Sequence, residues 1–300
     1  MIYLFHFLRW GKKFLRFPAQ FFSLLIRDFK YDYFPLENNK NQFVFVIGLP
    51  KSGTTLIEEI LYELGYVDLT NSFLRIYNNK NLKHPHDISE KMFKSVPKNK
   101  KTFLKTHTHF SKESIEIIKK YNPKIIISTR NLKDMLISRY CHLLASPSRD
   151  ALKKYINLDI TKGFKQFITH ENKADDDFVI KYGDKVKGKI VDFYYNWIKE
   201  WKEEIKKNNL DHLLLDWESF LQDKKKYIKN IINYLEIKKH TDEQILDTIE
   251  KNLLKIKNND LMSNLKNNIK PKTFNKDSGE IKKILNNDEI NNFIQDSLSK

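Results

Sequence analysis

Residues 42–55 read QFVFVIGLPKSGTT, and the fold follows from them. An uncharged run of β-branched and aromatic residues, Phe43 to Ile47, leads into a loop holding proline, lysine, serine, glycine and two threonines. A helical pattern, LIEEILYELG, occupies residues 56–65 directly afterwards. Strand, glycine-containing loop and helix in this order aim several backbone N–H groups, and the positive end of a helix dipole, at one spot. Such a spot holds a phosphate or a sulfate.

The position of the lysine separates the enzyme classes that use such loops. In a Walker A loop the lysine follows the second glycine and reaches the β and γ phosphates of ATP. Gly48 and Gly53 have the Walker spacing here, but Thr54 stands where that lysine belongs, and Lys51 lies inside the loop. Read without context, the segment is a strand and a helix joined by a polar turn. Read for its residues, Pro-Lys-Ser-Gly-Thr-Thr after a buried strand resembles the 5′-phosphosulfate loop of sulfotransferases that use 3′-phosphoadenosine 5′-phosphosulfate (PAPS). The resemblance implies a three-layer α/β/α fold with a central parallel sheet, similar to the P-loop NTPases. It also assigns Lys51, Ser52, Gly53, Thr54 and Thr55 to the phosphosulfate.

A second strand-to-helix junction lies at KIIISTRNLKDMLISRY, residues 124–140. Continuous β-branched residues suit a parallel strand covered on both faces. The run ends on Arg130, a helical pattern begins near Leu132, and Ser138 comes eight residues after the arginine. The family's 3′-phosphate motif has the same layout, so the resemblance makes Arg130 and Ser138 the pair for that phosphate. A planar guanidinium matches phosphate oxygens well. A third segment, FLKTHTHF at 103–110, matches the family's Lys-Thr-His with Lys105, Thr106 and His107. An acceptor hydroxyl must lose its proton as it attacks sulfur, and an imidazole with a pKa of roughly 6.5 can take it near neutral pH. On an extended segment His109 would face the same way as His107, so the resemblance, not the spacing, selects His107 as the base.

Two fainter likenesses lie toward the C-terminus. DHLLLDWESFLQ, residues 211–222, reads as a buried strand and a helix beginning near Ser219; Trp217 falls where family members carry an aromatic near the adenine. The other reading of Trp217 is a core side chain. TFNKDSGEIKKIL, residues 273–285, stands where the family has a segment that closes over the nucleotide. It keeps Lys276 and Gly279, but Asn275, Asp277 and Ile281 replace the family's arginine, first glycine and tryptophan. Leu56 stands where many members have a tryptophan touching the adenine. Both departures bear on the adenine and 3′-phosphate more than on the chemistry.

Composition adds boundaries. The 300 residues can bury a sizeable core, and 54 Lys and Arg against 38 Asp and Glu give a formal charge of +16. That balance favours anionic partners: a nucleotide, an acidic glycan or a membrane surface. No zinc spacing, helix-turn-helix cue or stacking motif set points to nucleic acid. A single cysteine, Cys141, excludes an internal disulfide and fits a reducing, cytoplasmic compartment. Residues 1–34 are rich in Phe, Leu and Ile and interrupted by Arg9, Lys12, Lys13, Arg16 and Arg27. The longest uncharged stretch there, Phe17 to Ile26, is about half of what a spanning helix needs and contains Pro18. Two readings stand: an amphipathic segment lying in a membrane interface, or an N-terminal arm packed on the domain. The chain thus divides into an arm over 1–40 and a sulfotransferase domain over 41–300.

The reading is a sulfotransferase moving a sulfonate group from PAPS to a hydroxyl or amine of a small-molecule, glycan or lipid acceptor, with no metal. His107 is the expected base. Lys51, helped by Lys105 and loop amides, is expected to steady the leaving phosphate. The rivals are a P-loop nucleotide kinase or other phosphotransferase, and a non-catalytic basic protein binding membrane or polysaccharide.

Overall fold

The computed structural model describes residues 43–70, 88–94, 96, 100–108, 110–145, 158–172, 188–237, 243–248, 251 and 288–298. The N-terminal arm, His109, and the 273–285 segment with Lys276 and Gly279 lie outside the described residues.

The β-branched run becomes strand β1, Phe43–Gly48. The helical pattern after it becomes α1, Thr54–Glu63, and the chain then enters the short strand β2, Val67–Asp68. A short helix α2, Glu90–Lys94, precedes β3, Thr102–Thr106. Helix α3, Lys112–Tyr121, leads to β4, Lys124–Thr129, and α4, Leu132–Ala145. After α5, Ile160–Ile168, strands β5, Glu171–Asn172, and β6, Gly188–Lys189, form a separate antiparallel pair. Helix α6, Ile190–Asn208, then feeds β7, His212–Asp216. Two helices, α7 at Trp217–Gln222 and α8 at Lys224–Tyr234, follow, and α9, Asp288–Leu298, is the last element described.

The main sheet has the order β2-β3-β1-β4-β7, and every pairing in it is parallel. Side chains of a strand alternate between faces, and two apolar clusters record this. Phe45, Ile47, Leu104, Ile125 and Ile127 join one cluster with residues of α3 to α6 and α9. Val44, Val46, Phe103 and Ile126 join the other with Leu56, Ile57 and Ile60 of α1 and Phe220 to Ile231 of α7 and α8. The expected central parallel sheet with helices on both faces is therefore present. Trp197 and Trp201, one turn apart on α6, are both buried.

One strand differs from its sequence reading. The run HLLLD looks buried throughout, yet His212 and Leu214 of β7 are exposed, Leu214 by 43%. The reason is its edge position, with β4 as its neighbour on one side. Helix α7 also begins at Trp217 rather than near Ser219, because the Asp216 carboxylate caps it by accepting from the Ser219 amide at 2.8 Å. Among the described residues no helix is long and apolar enough to cross a membrane.

Ile126 is fully buried between β1 and β7. Ile126→Ala should destabilise the fold by about 2–5 kcal/mol, read as a lower urea midpoint. An unchanged midpoint would contradict this packing.

Candidate functional site

The loop after β1 begins at a glycine whose surroundings leave no room for a side chain. A Cβ on Gly48 would lie 2.5 Å from Thr54 Cγ2, 2.7 Å from Ser52 Oγ and 3.0 Å from Ser128 Cβ. Lys51 has φ 77° and Gly53 has φ 104°, both left-handed, so the chain reverses twice before α1. The Ser52 amide and hydroxyl both donate to the Leu49 carbonyl, at 3.1 and 2.8 Å. Ser128, at the end of β4, donates its hydroxyl to the Ser52 carbonyl at 2.7 Å. Gly53 caps α1 without a side chain, so the first-turn amides find no side-chain acceptor at the helix start. Thr54 is buried and Thr55 exposed. These are the features of an anion cradle.

His107 follows β3 immediately, and strand register brings it here. Ile47 pairs with Thr106, so the next residue of β3 arrives beside Gly48. His107 Nδ1 is hydrogen-bonded to the Gly48 carbonyl oxygen. A carbonyl only accepts, so the proton sits on Nδ1 and the basic lone pair on Nε2. The flanking residue Thr108 donates its amide to Thr106 Oγ1 at 2.7 Å. The Thr108 carbonyl accepts from Trp197 Nε1 at 3.0 Å and from Trp201 Nε1 at 3.1 Å.

Lys105 is engaged by helix α1. Its side chain lies on the α1 face of the sheet, where Nζ pairs with Glu58 Oε2 at 2.6 Å, and its amide donates to Thr70 Oγ1. Both side chains of the pair are largely buried, exposed by 21% and 15%. Burial pushes the Glu58 carboxyl above its ordinary value; Lys105 pulls it back and Asp68 adds to the rise. The expected aid from Lys105 to the leaving phosphate therefore has a competitor in Glu58.

Arg130 and Trp217 form the other wall. The Arg130 guanidinium carbon lies 5.6 Å from the Trp217 ring centroid, and Nη1 donates to the Lys51 carbonyl at 3.4 Å. Arg130 Nε is buried and has no hydrogen-bond partner among the described residues. The Trp217 ring covers Gly53, where an added Cβ would come 2.8 Å from Cε3. Glu218 accepts from the Asn131 amide at 3.0 Å and so ties the start of α4 to α7. Ser138 is half-buried near the second turn of α4, and Leu56 is buried in the core with Trp217 packed against its cluster. The structure thus brings Lys51 to Thr55, His107, Arg130 and Trp217 to the carboxyl ends of neighbouring strands. Among the described residues no group of three His, Cys, Asp or Glu is placed to hold a metal ion.

Sequence reading missed Glu58, Ser128 and the two indole donors to Thr108. Only Ser128 left a local trace, as the polar residue near the end of an apolar run.

A family model of the sulfotransferase domain matches residues 41–299. No curated protein sequence matches the chain. The solved structure of retinol dehydratase with retinol and PAP, the adenosine 3′,5′-bisphosphate product, is similar at TM-score 0.50 and 18% identity. It covers 86% of this chain and 82% of that one. A mouse sulfotransferase, SULT7A1, complexed with PAP is similar at TM-score 0.47 and 19% identity, over 88% of this chain and 91% of that one.

The raised Glu58 pKa gives a signed test. Its folded value exceeds its unfolded value, so the native state binds more protons between the two, and the carboxyl's contribution to stability falls as pH rises through that window. Thermal melts of Glu58→Gln and the parent should show the variant gaining relative stability from about pH 4.5 upward. A relative loss over that range would mean that the Lys105 attraction outweighs burial.

Proposed function

The chain belongs to the sulfotransferase domain family, and on that premise we propose that it moves the sulfonate group of PAPS to a hydroxyl or amine of a small-molecule acceptor. The observation that carries the nucleotide half of this reading is the buried Arg130 Nε beside the loop, which has no hydrogen-bond partner among the described residues. A buried donor without a partner is costly, and a phosphate would complete it. Retinol dehydratase, whose structure holds PAP and retinol, supports a nucleotide of this kind and an apolar small acceptor. The charged groups present suit PAPS: a cradle of amides for the 5′ end, a guanidinium for the 3′-phosphate and an aromatic wall in Trp217.

Each step then has a residue. PAPS brings a sulfonate on a good leaving group. His107 Nε2 takes the proton of the acceptor as its oxygen or nitrogen bonds to sulfur. The bond from sulfur to the bridging phosphate oxygen breaks, its electron pair leaves with PAP, and Lys51 with the loop amides balances the charge there. Arg130 and Ser138 hold the 3′-phosphate. Positioning and charge stabilisation supply most of the acceleration, as in phosphoryl transfer. The lysine position, inside the loop rather than after Gly53, disfavours ATP-dependent phosphotransfer. Glycan and lipid-linked acceptors belong to the same reading, with residues 1–34 as a membrane contact for the lipid case.

Calorimetry with PAP should give saturable binding that Arg130→Ala weakens at least roughly tenfold, as expected for a charged hydrogen-bonding group. Binding of ATP with magnesium in place of PAP would overturn the proposal. With an acceptor found by mass gain of one sulfonate, His107→Ala should lower kcat by roughly 10²–10⁴-fold while PAP affinity is kept. Lys51→Met should lower kcat by roughly 10²–10³-fold. Retained turnover in either variant would remove that residue from its role.

A further inference from the structure

Two buried tryptophans spend their ring donors on a single carbonyl, and that carbonyl belongs to the residue after His107. Trp197 is 2% exposed and Trp201 is fully buried. Their Nε1 atoms reach the Thr108 oxygen at 3.0 and 3.1 Å. A carbonyl has two lone pairs, so this arrangement fills it. A buried indole needs one partner, but nothing in that need requires both rings to choose the same one. Their spacing of one helical turn on α6 makes the shared target possible.

The consequence lies in what else is fixed around His107. Before it, Thr106 is held in the β3 ladder opposite Ile47. After it, the Thr108 amide turns back to Thr106 Oγ1, closing a tight turn around the histidine. The imidazole itself hangs on the Gly48 carbonyl. From this we infer that Trp197 and Trp201 are positioning residues, whose indole N–H groups clamp the Thr108 carbonyl and so hold His107 with Nδ1 on Gly48 and Nε2 as the basic nitrogen. The inference rests on the reading of His107 as the base for its catalytic meaning, but the clamp can be measured independently of that reading.

The test uses the full-length protein with PAP, labelled with 15N at its nine histidines. The His107 resonance is identified by its loss in His107→Ala. Trp197→Phe and Trp201→Phe are made singly and together. Because a phenyl ring also leaves a cavity, a second pair of variants carries β-(3-benzothienyl)alanine, which keeps the indole shape and lacks the N–H. The parent should show the Nδ1–H tautomer. Each lost N–H should speed exchange of the His107 Nδ1 proton with solvent roughly fivefold, the equivalent of one ordinary hydrogen bond. The double benzothienyl variant should shift toward the Nε2–H tautomer with PAP affinity unchanged. An unmoved Nδ1–H signal in that variant would overturn the inference. So would a parallel loss of PAP affinity, which would make the tryptophans general supports of the fold. If His107→Ala keeps its turnover, the base assignment falls while the tautomer result still decides the clamp.

Discussion

The end of β1 at Gly48 is where the site is made. Its missing side chain lets Thr54, Ser52 and Ser128 close on one point, and its carbonyl holds the imidazole of His107. Both neighbouring strands contribute because β1 runs between them. Register sets which residues arrive: Thr106 opposite Ile47 brings His107 from β3, and Ser128 opposite Gly48 comes from β4. The loop and the histidine are thus not two motifs that happen to be close. They are coupled through one residue, and a Cβ there would displace parts of the cradle, down to the β4 serine that latches it.

The electrostatics of the cradle are less simple than a net charge of +16 suggests. A buried carboxylate, Glu58, sits on α1 two turns or less from the loop and takes Lys105. Removing both groups from water is costly, and the upward push on the Glu58 carboxyl says that burial outweighs the attraction for this residue. Lys105 is therefore a cation already paired with a carboxylate, whereas Arg130 Nε has no hydrogen-bond partner among the described residues.

What the sequence made legible is what is local along the chain. GLPKSGTT shows its strand, its loop and its helix within a few residues, and the Arg130 junction repeats the form. Contacts set by register or by helix packing left almost no signal. LIEEI offers two adjacent glutamates, and nothing in that string says that Glu58 is the one to meet Lys105. Trp197 and Trp201 stand four residues apart, but nothing along the chain says that they share an acceptor 89 and 93 residues away. The LLL run of β7 looked buried because hydropathy records composition, whereas exposure there follows from being at a sheet edge. Trp217 could be read as core or as a site residue; it packs against the α1 core cluster and across Gly53.

Arg130 shows why an arrangement of this kind points to a ligand. Its guanidinium is lodged over Trp217 and tied to the Lys51 carbonyl by one long bond. Its Nε is buried and has no acceptor among the described residues. A chain selected only for stability would gain by turning such a group to water or replacing it, since an unsatisfied buried donor costs on the order of 1–3 kcal/mol. The cost disappears when an anion with several oxygens enters, because a fork of donors and a set of acceptors satisfy each other together. Anion binding is then favoured twice, by the new bonds and by relief of the old deficit. Gly53 leaves room for the Trp217 ring, and the Arg130 guanidinium sits against that ring and donates to the Lys51 carbonyl. One hydrogen bond thus joins Arg130 to the backbone of the loop lysine across 79 residues of chain.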